Sequence, residues 1–226
     1  MDARDMRDDR MRLIAERGVT VVLDVGANAG QYASRLREDG YSGTIVSFEP
    51  LREPYARLCA ASADDPAWHT LNIALGEAPA RTQMNVSANS YSSSLLPMTP
   101  TTVDAAPDAV YIGVEDVKVT RLDLLTLPAG RKMIKADVQG VEPSVLRGAH
   151  SLLAAVDVVE VEMSLVPIYE GQELAPAVCA MMRARGFVPV AFGTSFAHPE
   201  TGEILQIDGL FARVNDSATL RTAGPA

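Results

Sequence analysis

The chain has only two cysteines in 226 residues, few aromatics at 5%, no excess of basic charge and no apolar run of bilayer-spanning length. Each scarcity removes a class of protein. Cys59 and Cys179 are far apart and stand in no C-x-x-C pattern, which argues against a disulfide framework or zinc site and for buried thiols in a reducing compartment. Twenty basic residues against 29 acidic ones give a formal charge of −9, and no basic run carries interleaved aromatics. General attraction to nucleic acid or anionic lipid is therefore not expected. The opening MDARDMRDDRMRLIAERG alternates in sign like a solvated helix and lacks the apolar core of a signal peptide. These features predict a cytoplasmic protein without a membrane span. With 47% hydrophobic and 22% charged residues the composition is that of a globular protein, and the length suits one α/β domain over residues 1–214. The tail 215–226, NDSATLRTAGPA, reads as disordered.

What is present is concentrated at Val21 to Gly30, VVLDVGANAG, a run of β-formers followed by a small-residue loop that leads into the helical QYASRLRE. A strand, a tight turn and a helix N-terminus form the place where an α/β sheet binds a nucleotide-like ligand. Gly26 and Gly30 let backbone approach that ligand, with Asn28 between them, and free N–H groups at about Gly30 are expected to receive a carboxylate or phosphate. The loop lacks both the G-x-G-x-x-G spacing and the lysine of a P-loop. Asp24, just before the loop, would repel a pyrophosphate but suits an ammonium group. Glu49 ends the strand-like TIVSF and is placed to accept hydrogen bonds from both ribose hydroxyls of an adenosine. The pair favours S-adenosylmethionine as cofactor.

Strand-like runs recur at 44–48, 68–75, 132–138, 156–163, 187–192 and 204–214, with helical runs such as PYARLCAAS, EPSVLRGAHSLLA and LAPAVCAMMRARG between most of them. This alternation predicts a mostly parallel sheet with helices on both faces. GTSFAHPETGE joins the last two strands without a helix, which predicts a final antiparallel hairpin. From about Met84 to Lys118 the chain is rich in Ser, Thr, Asn, Pro and Ala and reads as a structureless lid or insertion, in which Ser93 or Ser94 offers hydroxyls to the cofactor or acceptor. Met181 and Met182 read as core filler.

From about Val21 to Arg213 the chain resembles the FkbM family of methyltransferases. The likeness is carried by Asp24 to Gly30 for D-V-G-A-N-x-G, Phe48 to Pro50 for F-E-P, Ala74 to Gly76 for A-L-G, and Ser93 to Leu95 for S-S-L. It continues with Leu122 to Leu125 for L-D-x-L and Lys135 to Gly140 for K-I-D-V-E-G. The resemblance implies a Rossmann-like class I methyltransferase fold with a seven-stranded sheet, Ala74 at the cofactor, and O-methylation of sugar or natural-product hydroxyls. Two positions depart from the pattern: Ala136 replaces the isoleucine and Gln139 the acidic residue, while Asp137 is kept.

Methyl transfer to a hydroxyl requires alignment and removal of one proton. Asp137 ends a strand on the same sheet edge as Asp24 and Glu49 and is the first choice for contact with the acceptor, either as general base or as ligand to a divalent ion. Glu160 and Glu162 share one face of the next strand and with Asp137 offer an oxygen set for Mg²⁺, Glu162 lying nearer the edge. Lys135 is as readily a neutralising partner of Asp137 as a catalytic group. Asp123 reads as a cap, and His69 and His150 as structural. His198, in the late loop, is the outside candidate for the base, and Tyr169 a candidate wall of the acceptor site. An NAD-dependent oxidoreductase and a non-catalytic cofactor-binding protein are the alternative readings.

Overall fold

The computed structural model describes residues 6–214, so the expectation for the tail 215–226 lies outside the described residues. Helix α1 (Met6–Arg17) precedes strand β1 (Val21–Val25), helix α2 (Gln31–Glu38) and strand β2 (Thr44–Phe48). Helix α3 (Arg52–Ser62) and strand β3 (Trp68–Leu71) complete the first half of the main sheet. Next come β4 (Ala74–Leu75), β5 (Ala80–Ser87), helix α4 (Pro100–Ala105) and β6 (Tyr111–Thr120). The second half consists of β7 (Lys132–Ala136), α5 (Glu142–Arg147), β8 (Val156–Ser164), α6 (Ala175–Ala184), β9 (Phe187–Ala197) and β10 (Ile204–Arg213).

The main sheet runs β3-β2-β1-β7-β8-β10-β9. Its strands pair in parallel except at β10, which is antiparallel to both β8 and β9, as the helix-free junction predicts. Alternate residues of the central strands serve two cores. Leu23, Val25, Phe48, Ile134, Ala136, Val159 and Val161 pack with Val145 and Leu146 of α5 and with Val178 and Met182 of α6. Val22, Ile45, Met133 and Val158 pack with Leu13 and Ile14 of α1, Ala33 and Leu36 of α2, and Leu58 of α3. Burial on both faces explains the nearly unbroken apolar runs of these strands. The exceptions form a row across the second face, Ser47, Asp24, Lys135 and Glu160, held side by side by the strand register. Their charges alternate in sign from Asp24 to Glu160, which makes burial of the row tolerable.

Two expectations are corrected. The single strand read at 68–75 is two, because the chain leaves the main sheet after Leu71 and Ala74–Leu75 pairs with β6 in a separate sheet of order β4-β6-β5. Nor is 84–118 structureless: β5 and β6 form an antiparallel ribbon, and α4 and a 3₁₀ turn at Pro107–Ala109 fill the interval. The ribbon's outer side chains face solvent, so it is rich in polar residues despite being regular.

Candidate active site

The carboxyl ends of β1, β2 and β7 converge on one cleft. At the end of β1 the chain turns at Gly26, whose N–H and that of Ala27 donate to the Phe48 carbonyl at 3.1 and 3.0 Å. Asp137 N–H donates to the Val25 carbonyl at 3.1 Å, which seats the chain leaving β7 directly against the loop. Contact is so close that a Cβ on Gly26 would lie 1.8 Å from the Asp137 carbonyl oxygen, and the φ of +82° is itself left-handed. Glycine is required here on both counts.

Glu49 follows β2 and faces the cleft. Its carboxylate accepts the N–H groups of Asn28 and Leu51, each at 2.9 Å, which fixes its orientation and leaves further lone pairs for a ligand. Burial pushes the Glu49 carboxyl up to about 7, against the pull of the two N–H donors. Asn28 is anchored by its amide, which donates to the Ser90 carbonyl at 3.0 Å. Leu51, Ile73, Ala74, Leu75, Met84 and Leu95 make the apolar wall, with Ser90, Tyr91 and Ser93 at the outer side. The cleft is open to solvent at its mouth and lined mainly by apolar side chains, the composition of a small-molecule site. An apolar slot beside an oriented carboxylate, approached by the bare Gly26 turn, suits an adenosine with an amino-acid tail.

Gly26, Asn28, Glu49, Ala74, Ser93 and Asp137 thus line the cleft. Four other expectations are corrected. Asp24 is fully buried within β1, outside the lining, where one oxygen accepts the Ser47 hydroxyl at 2.9 Å and the other, Oδ1, has no hydrogen-bond partner among the described residues. Burial raises its pKa, against Lys135 and the Ser47 bond. Gly30 does not present its N–H to a ligand; it donates to the Ala27 carbonyl at 2.8 Å, and its bare Cα faces the Trp68 ring. Ser94 is buried, and its hydroxyl donates to the Gln139 carbonyl at 2.6 Å. His198 is outside the cleft lining: Nδ1 accepts the Glu200 and Thr201 N–H groups and Nε2 faces Asp104 at 3.2 Å, a turn-forming arrangement.

Beyond the cleft, Asp137 stands at the centre of a polar cluster. Lys135 Nζ lies 3.1 Å from its Oδ2, and the Gln139 amide donates to its Oδ1 at 2.7 Å and to Glu162 at 2.9 Å. Burial disfavours the Asp137 charge, but the Lys135 ammonium and these hydrogen bonds outweigh it and hold the carboxyl below its usual range. Glu162 is the converse: burial, then the charges of Asp137 and Glu142, push it well above the usual range. The two carboxyls are thus pushed in opposite directions, Asp137 toward its charged form and Glu162 toward its neutral form. Oxygens of Asp137, Glu142 and Glu162 lie within 4.8 Å of one another. Glu160, expected in this set, is not: it is bound by Arg10 on two sides and by the Tyr32 hydroxyl at 2.9 Å. Tyr169 is no acceptor wall either, since its ring is buried and its hydroxyl donates to Gln139 Oε1 at 2.7 Å. Asp123 caps as expected, accepting the Ser151 and Leu152 N–H groups.

The apolar wall at Leu51, Ile73 and Met84 was missed in the sequence because it is assembled from four separate segments. Gln139 was noticed as a departure but not as a hub. Its neighbour Gly140 was the available signal: both residues have positive φ, +57° and +102°, marking a tight turn that aims the Gln139 side chain inward.

The sheet order with its reversed last strand, and a cleft at the carboxyl edge, are those of the Rossmann-like class I methyltransferase fold. A family model, the methyltransferase FkbM domain, matches residues 24–189, and the chain belongs to that family. Among solved structures, an rRNA methylase from Streptococcus thermophilus aligns with TM-score 0.52 at 7% identity, over 95% of this chain and 100% of its own. The N-methyltransferase NodS from Bradyrhizobium japonicum WM9, in complex with S-adenosyl-L-homocysteine, aligns with TM-score 0.51 at 8% identity, over 92% of this chain and 86% of its own. These likenesses speak for the fold alone. No curated protein matches the chain in sequence. No helix among the described residues is long and apolar enough to cross a membrane.

Proposed function

We propose that the protein is an O-methyltransferase that uses S-adenosylmethionine to methylate a hydroxyl of a small metabolite, a sugar or glycosylated natural product. The observation that carries this reading is the position of the Asp137 carboxyl, directly after β7, against Gly26 and at the lip of the cleft, with the Lys135 ammonium 3.1 Å from its Oδ2. The cofactor supplies an electrophilic methyl group. Glu49 holds the ribose, Gly26 admits the tail by offering no side chain, and the wall from Leu51 to Leu95 takes the adenine. Asp137 accepts the proton of the attacking hydroxyl, an oxygen acid whose proton must leave as the new bond forms. Lys135 keeps Asp137 charged and ready, and the net charge of −9 favours a neutral acceptor over a polyanion.

The segment 88–98 serves in this reading as the cover. Ser90, Tyr91, Ser93 and Leu95 form the outer side of the cleft, and Asn28 ties the cover to the glycine loop. Amide exchange in 88–98 is expected to slow when S-adenosylhomocysteine binds; equal exchange in both states would make it a fixed wall. The activity is tested by incubating the protein with S-adenosylmethionine and a panel of hydroxylated sugars, glycosides and phenols, and locating the methyl group by NMR. Transfer to oxygen supports the reading. Transfer to nitrogen, or binding without turnover across the panel, overturns it.

A further inference from the structure

Gln139 is bonded at every polar atom of its side chain. Both amide protons are donated, to Asp137 and Glu162, and Oε1 accepts the Tyr169 hydroxyl. Its carbonyl accepts the Ser94 hydroxyl, and its backbone stays in the left-handed region that a non-glycine residue enters at a cost of about 1–3 kcal/mol. Such a conformation persists only where the surroundings hold it. Here they aim a planar, two-proton donor at the point midway between two carboxyl groups.

That point is where a divalent cation would otherwise sit. Asp137, Glu142 and Glu162 offer oxygens within 4.8 Å of one another, the donor set of a hard cation. Two features oppose one in this chain. The Gln139 nitrogen already lies within hydrogen-bond distance of both Asp137 and Glu162, and the Lys135 ammonium is 3.1 Å from Asp137, so a cation would meet a second positive charge. Glu142 is also committed, accepting the Val138 and Gly140 N–H groups at 2.9 and 3.1 Å.

We infer that Gln139 is a positioning residue whose side-chain amide takes the place of a divalent cation between Asp137 and Glu162, so that this site works without a metal. A glutamate at the same position would remove both donated protons and put a fourth carboxyl group beside Asp137, Glu142 and Glu162. The cluster would then need a proton or a cation to hold it. The role given to Asp137 rests on the methyltransferase reading, but the occupancy of the site does not.

Mn²⁺ binding, followed by the loss of its free EPR signal on titration, tests this in the whole protein. The parent is expected to leave millimolar Mn²⁺ free. Gln139→Glu is expected to bind Mn²⁺ at least tenfold more tightly than the parent, to gain melting temperature with Mn²⁺, and to lose both gains when Asp137→Asn is added. Gln139→Ala, which removes the amide and leaves room for a hydrated ion, is expected to gain affinity too and serves if Gln139→Glu does not fold. Methyl transfer by the parent should be unchanged after EDTA, whereas Gln139→Glu should require the cation. Binding of Mn²⁺ by the parent that Asp137→Asn abolishes would overturn the inference, and so would folded variants with the parent's affinity. Calorimetry with S-adenosylhomocysteine on the same samples reports on the methyltransferase reading separately.

Discussion

At the β1–β2 end of the sheet edge the polar groups are pinned by backbone and still face the cleft, whereas at the β7–β8 end they are bonded to one another. Glu49 spends its lone pairs on two N–H groups from neighbouring turns and retains capacity for a ligand. Asp137, Gln139 and Glu162 satisfy each other, with Lys135, Tyr169 and Ser195 completing the ring. The first arrangement orients a carboxylate that still faces the open cleft. The second is a closed hydrogen-bonded cluster whose two carboxyls are pushed in opposite directions, Asp137 toward its charged form and Glu162 toward its neutral one. Cofactor affinity and turnover should accordingly separate by residue.

The contact between the two halves offers the strongest test. Gly26→Ala drives a Cβ into the Asp137 backbone, so it should cost about 3 kcal/mol or more in urea unfolding and abolish measurable S-adenosylhomocysteine binding. A stable variant with normal affinity would mean that the two strand ends are not packed as described.

Asp137→Asn should lower turnover by about 10²–10⁴-fold, the usual scale for a general base, while cofactor affinity changes by no more than about threefold. Equal losses in both would erase the distinction between the halves. Because this variant also removes the partner of buried Lys135, its thermal melt belongs beside the kinetics.

A smaller effect is expected from pH. Glu49 titrates at about 7 in the unliganded fold, above its ordinary 4.5, and must be ionised to accept both ribose hydroxyls. Affinity for S-adenosylhomocysteine should therefore rise with pH, by at most about tenfold per unit below pH 7, and level above it, and Glu49→Gln should flatten the profile. The same shift acts on stability with the opposite sign. A raised carboxyl pKa favours the fold below about pH 4.5, and that contribution fades as pH rises to about 7. The smallest change is predicted for His198→Ala, with turnover unaltered and about 1 kcal/mol lost from the hairpin turn, measured by urea unfolding.

The architecture was legible because both sheet faces are buried, so strands such as Val21–Val25 and Thr44–Phe48 stand out as short runs of β-formers and the helix-free junction before Ile204 betrays the reversal. The places of Gly26 and Glu49 at the cleft were legible for a related reason: both follow directly from strand ends, which are local in sequence. Asp24 misled because its strand position gives no information about which face its side chain takes. That face turned out to be the α1–α2 core, where Ser47 and Trp68 line up with it. The polar cluster at the ends of β7 and β8 was not legible, because it depends on contacts such as Tyr169 with Gln139 and Ser195 with Glu162, which join residues far apart in the chain. The ribbon of β5 and β6 stayed hidden because a strand pair with one wet face has the composition of a loop.

Calorimetric titration with S-adenosylhomocysteine of the parent and Glu49→Ala tests the central claim, that this cleft is the cofactor site of a methyltransferase. One molecule should bind per chain, and the variant, shown folded by circular dichroism, should bind about 1.5–3 kcal/mol more weakly, as expected for loss of hydrogen bonds to a charged group. No binding by the parent, or equal affinity in the folded variant, would contradict it.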